Sequence, residues 1–214
     1  MIRNYQKEFL DFAISSGALR FGQFVLKSGR ISPYFFNTGL FNTGGRLAQL
    51  SRFYAQAILD SRLPFDMVFG PAYKGIPLAA GVAIALADHH GRDVPYAFNR
   101  KEAKDHGEGG IIVGSPLQGQ VLIVDDVISA GTSIGESTAI IQAAGAHASG
   151  AIVSLNRQER GSGTSSAVAD TEKRYGLKIA SIVTLDTLVT YLEAIPEQRQ
   201  YLEAIRSYRA QYGE

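Results

Sequence analysis

Cysteine is absent from the 214 residues, which excludes disulfides, a thiolate nucleophile and zinc–sulfur sites. No apolar run approaches the roughly 20 residues that span a bilayer. The segment Met1-Ile2-Arg3-Asn4-Tyr5-Gln6-Lys7-Glu8 carries charge where a signal peptide needs its apolar stretch. A cytoplasmic protein without a membrane partner is therefore expected. Charge of one sign is missing too: 21 Lys and Arg face 20 Asp and Glu, a formal charge of +1. That balance makes no general electrostatic case for a nucleic-acid partner, so any basic chemistry must be local. Neither Gly-x-x-x-x-Gly-Lys-Ser/Thr nor a strand-borne Gly-x-Gly-x-x-Gly occurs, which argues against the common nucleotide-binding loops. What is present is 45% hydrophobic content, enough for one substantial core. One domain over 1–214 is expected, with about 1–40 as an N-terminal elaboration and 41–214 as the core and C-terminal helices.

The most informative stretch is Val121-Leu122-Ile123-Val124-Asp125-Asp126-Val127-Ile128-Ser129-Ala130-Gly131-Thr132-Ser133. Its apolar opening reads as a strand buried on both faces, typical of a parallel sheet covered by helices. Ser129, Ala130, Gly131, Thr132 and Ser133 are small enough for backbone N–H groups to close on a phosphate at a helix N-terminus. Asp125 and Asp126 would repel that anion. Their partners are hydroxyls, or a divalent cation held through water. A sugar carrying both a diol and a phosphate satisfies the two halves. The plainer alternative is a buried strand followed by an ordinary helix cap, with the acids solvated.

Phe69-Gly70-Pro71-Ala72-Tyr73-Lys74-Gly75-Ile76-Pro77 is a second strand-to-helix loop able to cradle an anion, with Lys74 as a point charge; alone it is equally an ordinary turn. The segment from Asn99 to Gly110 lacks apolar periodicity, ends in glycines and reads as a mobile loop. Arg100, Lys101, Lys104 and His106 concentrate positive potential there, suited to closing over a leaving group. The bland reading is a solvated tip whose Glu102, Asp105 and Glu108 balance the charge.

Elsewhere, Ile2, Tyr5, Phe9, Phe12 and Ala13 recur at helical spacing up to Gly17. Leu19 to Asn37 reads as a hairpin with a polar turn at Lys27-Ser28-Gly29-Arg30, a candidate hood. Then follow a helix to about Leu59, a strand at Met67 to Gly70, a helix from Gly75 and a strand near Val94 to Phe98. Beyond them come strands at Val121 to Asp125, Ala151 to Leu155 and Lys178 to Thr184, with a helix from about Thr132 to Ala144. The alternation predicts a doubly wound α/β fold. Tyr-Leu-Glu-Ala-Ile occurs at Tyr191 and again at Tyr201, around Pro196, and reads as helical packing.

The strand, Asp-Asp and small-Gly-Thr order resembles the signature of the type I phosphoribosyltransferases. That resemblance implies a mainly parallel twisted sheet flanked by helices with a small N-terminal hood. It implies 5-phosphoribosyl 1-diphosphate as donor, and Mg²⁺ held by substrate and water without a direct protein ligand. By resemblance Tyr73 and Lys74 lie in the diphosphate loop, with a non-proline cis peptide expected at Ala72–Tyr73. Asp125 and Asp126 would hold the ribose hydroxyls and Ser129 to Ser133 the 5′-phosphate, Val127 and Ile128 belonging to the same binding loop. Ser129 and Ser133 stand where close relatives often have Thr and Ala, yet hydroxyl or small size is kept.

Arg100-Lys101-x-x-Lys104-x-His106-Gly107 is similar to the orotate phosphoribosyltransferase lid, and so to that family are Lys27-Ser28-Gly29-Arg30-Ile31-Ser32-Pro33-Tyr34-Phe35-Phe36-Asn37 and Leu155-Asn156-Arg157-Gln158-Glu159. Orotate is a planar anion needing a shelf and a cation; Lys27, Phe35, Phe36 and Arg157 are of those types. Phe35 and Phe36 are equally candidates for the core, and Arg157 for a structural ion pair. The resemblance further implies a homodimer with Lys101 acting across the interface. A transferase for another base, or a regulator sensing the donor without turnover, are the competing functions.

Overall fold

The computed structural model describes residues 2–26, 28–104, 110–128, 131–161 and 165–214, and all side chains among them except those of 103, 104 and 197. Helix α1 (Asn4–Ser15) buries Phe9, Leu10 and Ala13, the face its apolar spacing dictates. Strands β1 (Leu19–Val25) and β2 (Ile31–Phe36) pair antiparallel as a separate ribbon, Leu19 opposite Phe36 and Val25 opposite Ile31. A 3₁₀ turn, Thr38–Leu40, leads to α2 (Gly44–Ser61), whose first turn is capped by Thr43 accepting from the Arg46 N–H.

The main body is β3 (Met67–Gly70), α3 (Gly75–His90), β4 (Tyr96–Lys104), β5 (Gly110–Gly114), β6 (Gln120–Val124), α4 (Thr132–Ala143), β7 (His147–Asn156), α5 (Ala167–Tyr175) and β8 (Lys178–Thr184), followed by α6 (Leu185–Ala194) and α7 (Leu202–Tyr212). Among the described residues the sheet has the order β5-β4-β3-β6-β7-β8. All neighbours are parallel except β4 and β5. The chain runs outward from β3 to β4 and β5, then returns to place β6 on the other side of β3. That reversal makes β3/β6 the switch point, where open α/β sheets bind ligands beyond the strands' carboxyl ends.

Both central strands are buried on both faces. Val68, Leu122 and Val124 join the cluster built with α1, α2 and α3, whereas Met67, Phe69, Val121 and Ile123 join the cluster containing Ile134 and Ile141 of α4. This two-sided burial explains the continuous apolar runs.

The expected loop from Asn99 to Gly110 is corrected at both ends. β4 continues to Lys104, and the ladder pairs Asn99 with Ile112 and Lys104 with Gly110. The register breaks between those two pairs, and Arg100 to Glu102 carry no apolar face to alternate, so the strand there is not marked in the sequence. Asp105 and His106, like Lys27, Ser129 and Ala130, lie outside the described residues. Helix α5 does not stand out in the sequence because it is polar overall: Thr171 is its one buried residue among those described, with Val168 and Tyr175 as half-buried apolar neighbours on that face. The Tyr191 copy of the repeat lies in α6, and the Tyr201 copy spans the 3₁₀ turn and α7. No helix among the described residues is long and apolar enough to cross a membrane.

Candidate active site

Two loops leave the carboxyl ends of β3 and β6 side by side. The β3 loop turns directly into α3, and a Cβ on Gly70 would lie 2.0 Å from the Gly75 carbonyl oxygen, so glycine is required for strand and helix to meet so closely. The Ala72–Tyr73 peptide is cis, as the resemblance implies. Asn99, buried on β4, accepts from the Ala72 N–H at 2.9 Å and anchors the loop from the side. Tyr73 is left 71% exposed.

Beyond β6, Asp125 and Asp126 are only 6% and 8% exposed, and their backbone is fixed from two other elements. Tyr54 of α2 donates to the Asp125 carbonyl at 2.8 Å, and Ser154 of β7 donates to the Asp126 carbonyl at 2.5 Å. The Asp125 carboxylate accepts from the Asp126 N–H at 2.8 Å and the Ser133 hydroxyl at 2.7 Å. Burial holds its pKa above the usual carboxylate value, those two hydrogen bonds opposing the shift in part. Asp126 Oδ1 accepts from the Val127 N–H at 2.8 Å. Its Oδ2 accepts from Lys74 Nζ at 2.6 Å and Thr38 Oγ1 at 3.0 Å. One carboxylate thus joins the β3 loop, the β6 loop and the hood.

Helix α4 starts at Gly131, whose φ of 71° is left-handed, and no described side chain caps its first turn. A Cβ on Gly131 would lie 2.3 Å from Thr171 Oγ1 on α5. Two independent demands therefore select glycine there. A helix start leaves its first-turn N–H groups, here including those of Thr132 and Ser133, without intrahelical partners, which is the arrangement an anion site requires. The Ser133 hydroxyl is committed to Asp125, which leaves its backbone N–H, the group on which the small-residue reading relies. Val127 bridges Leu155 of β7, and Ile128 packs partly buried near the α4-side core.

Arg100 and Lys101 stand on β4. They line a cavity of about 370 Å³ with Tyr73, Ile76, Phe98 and Asn99, so the β3 loop and β4 share one recess. Arg100 donates to the Gly110 carbonyl across the hairpin at 3.5 Å. Lys101 lies 3.7 Å from Glu136 of α4 with its side chain 48% exposed. A second cavity of about 370 Å³ adjoins Thr38, Asn42, Thr43 and Lys74. The Lys104 side chain and His106 lie outside the described residues.

On β2, Phe35 stacks on Phe24 with ring centroids 5.5 Å apart, whereas Phe36 packs against Phe9 at 6.2 Å and Phe41 at 6.4 Å. Adjacent strand residues point to opposite faces, so the Phe36 ring packs, partly buried, against the core and the two rings do not form a joint shelf. Arg157, just past β7, forms the ion pair left open as its alternative: Nη2 lies 2.6 Å from Glu159 Oε1 and Nε donates to the same oxygen at 2.7 Å. Thr38, Asn99, Tyr54 and Glu159 were not singled out from the sequence, because each reaches the site across a tertiary contact or a bend that local pattern does not encode.

The model of the phosphoribosyl transferase domain family matches residues 40–174. The chain is 60% identical to an orotate phosphoribosyltransferase from Klebsiella pneumoniae (strain 342), the match covering 99% of this chain and 100% of that one. It is 62% identical to the orotate phosphoribosyltransferase of Thioalkalivibrio sulfidiphilus (strain HL-EbGR7), with the same coverage. The crystal structure of the Francisella tularensis orotate phosphoribosyltransferase superposes with a TM-score of 0.88 at 39% identity, covering 97% of this chain and 100% of that one. With its two strand-to-helix loops side by side at the β3/β6 switch point and this likeness over its whole length, the chain belongs to the phosphoribosyl transferase family and, within it, to the orotate phosphoribosyltransferases.

Proposed function

We propose that the chain transfers the 5-phosphoribosyl group from 5-phosphoribosyl 1-diphosphate to N1 of orotate, giving orotidine 5′-monophosphate and diphosphate for UMP synthesis. The observation that carries this reading is the Lys74–Asp126 contact, which sets a diphosphate-type loop and a sugar-phosphate-type loop one side chain apart. In this reading the α4 N-terminus and residues 127–133 take the 5′-phosphate, and Asp125 and Asp126 accept hydrogen bonds from the ribose hydroxyls. Tyr73 and Lys74 take the diphosphate, Lys74 exchanging Asp126 for phosphate oxygens. Lys27, the Phe35–Phe36 backbone and Arg157 receive orotate.

Breaking the glycosidic bond leaves positive charge on the sugar and negative charge on the departing diphosphate. Arg100, Lys101, Lys104 and His106 meet the growing negative charge, so preorganised electrostatics lower the barrier and no covalent enzyme intermediate is needed. The acidic pair beside an anion cradle fits Mg²⁺ held through water, since Mg²⁺ keeps several waters and binds substrate phosphates; Asp125 and Asp126 would be its neighbours. The metal would supply charge neutralisation of the diphosphate. The exposure of Lys101 on β4, one strand in from the sheet edge, supports a homodimer in which it serves the partner's site. Orotate consumption, followed by ultraviolet absorbance, is expected to require the donor and Mg²⁺ together and to stop on chelation. Donor binding with no orotate loss would overturn the reading.

A further inference from the structure

We propose that Glu159 is a positioning residue for the acceptor pocket, gripping one edge of Arg157 so that the other edge faces the substrate. This rests on the reading that Arg157 meets the orotate carboxylate. A guanidinium has five N–H donors in a rigid fork. Glu159 Oε1 accepts from Nε at 2.7 Å and lies 2.6 Å from Nη2 as an ion pair, while Ser32 Oγ accepts from Nη2 at 3.0 Å. Ser32 is able to accept because its own hydroxyl proton goes to the Tyr34 carbonyl at 2.7 Å. The Tyr34 ring lies 4.1 Å beneath the guanidinium carbon and limits its tilt. Nε and Nη2 are thereby engaged, and among the described residues Nη1 makes no hydrogen bond.

Glu159 is itself held. Arg30 lies 3.6 Å from its second oxygen, and the Arg30 guanidinium is fixed by two 3.2 Å bonds to the Arg160 carbonyl. Gln158, between the two partners, sits at a left-handed φ of 50°, and Glu159 bridges Gly213 at the end of α7. Arg157 and Glu159 side chains are 19% and 14% exposed, so an arginine released from Glu159 would have several rotamers in a pocket that needs one. Any carboxylate binding there then meets an arginine whose orientation is already decided.

The role depends on an oxygen acceptor and not on a negative charge, which makes it separable from simple electrostatics. Glu159→Ala is expected to raise the orotate KM about tenfold while the donor KM and the melting temperature stay near wild type. Glu159→Gln, which keeps Oε1, should restore the orotate KM to within about threefold. In an Arg157→Ala background, Glu159→Ala should add nothing further. Equal defects in the Ala and Gln variants would assign Glu159 a charge role and overturn positioning. A defect shared by both substrates and matched by a lower melting temperature would make it merely structural. An unchanged orotate KM in Arg157→Ala alone would instead remove the underlying reading. Should Glu159→Ala not fold, Ser32→Ala removes the third anchor, and an unchanged orotate KM there would overturn the proposal.

Discussion

At the residue scale, burial at Asp125 sets function against stability. Its pKa is above the unfolded value of 3.8, so ionising it opposes folding. The stability it contributes is fully present below that value and is lost as pH rises through the folded value. Asp125→Asn is therefore expected to leave the melting temperature at pH 7 unchanged or higher, while donor affinity measured by calorimetry falls at least tenfold; a lower melting temperature would contradict the burial argument. Gly131 poses the opposite case. Gly131→Ala must adopt a positive φ and place a methyl against Thr171, for an expected cost of about 1–3 kcal/mol in urea unfolding together with weaker donor binding. Adding Thr171→Ala should recover part of that loss, because the clash goes and the φ cost remains. Asp125 and Gly131 were legible as site residues because strand, acids and loop are consecutive. Their constraints were not, since Ser133 is eight positions away, Tyr54 seventy-one, and Thr171 sits on a helix the sequence does not announce.

At the scale of elements, α2 and α3 pack so closely that a Cβ on Gly81 would come 2.2 Å from Ser51 Oγ. Overpacking costs about 1–3 kcal/mol, more than the roughly 0.5–1 kcal/mol an alanine gains over glycine inside a helix, so Gly81→Ala should destabilise. In Gly81→Ala/Ser51→Ala the nearest remaining Ser51 atom is at 3.3 Å and the propensity gain survives; thermal unfolding is expected to return to wild type or above. α3 itself is apolar almost all round, with exposed Ile84 on its outer side. Its existence was plain from composition, whereas its contact with α2 depended on two small residues thirty positions apart. β4 illustrates the converse: its polar half reads as loop, and only pairing with β5 makes it a strand.

At the scale of the whole molecule, shared sites make an arithmetic prediction. If Lys101 serves the partner, a one-to-one mixture of Lys101→Ala and Asp126→Asn subunits, unfolded and refolded together, pairs half its chains as mixed dimers with one intact site each. Activity should then rise from near zero to about a quarter of wild type. Recovery of none would place Lys101 in its own subunit's site. Lys101→Ala should leave the melting temperature in place, because its half-exposed contact with Glu136 contributes little.

The sequence alone determined the α/β alternation, the two phosphate-type loops and the chemistry of the ligand, because these depend on neighbours along the chain: apolar runs, adjacent acids, small residues at a helix start. The tertiary structure decided which of those residues are free to act. It placed the two loops at one switch point by returning β6 beside β3 and tied Lys74 and Thr38 to Asp126. It also packed Phe36 against the core and paired Arg157 with Glu159. Those outcomes depend on contacts between distant segments, where burial and hydrogen-bond geometry, and not residue type, choose between a ligand and a neighbour.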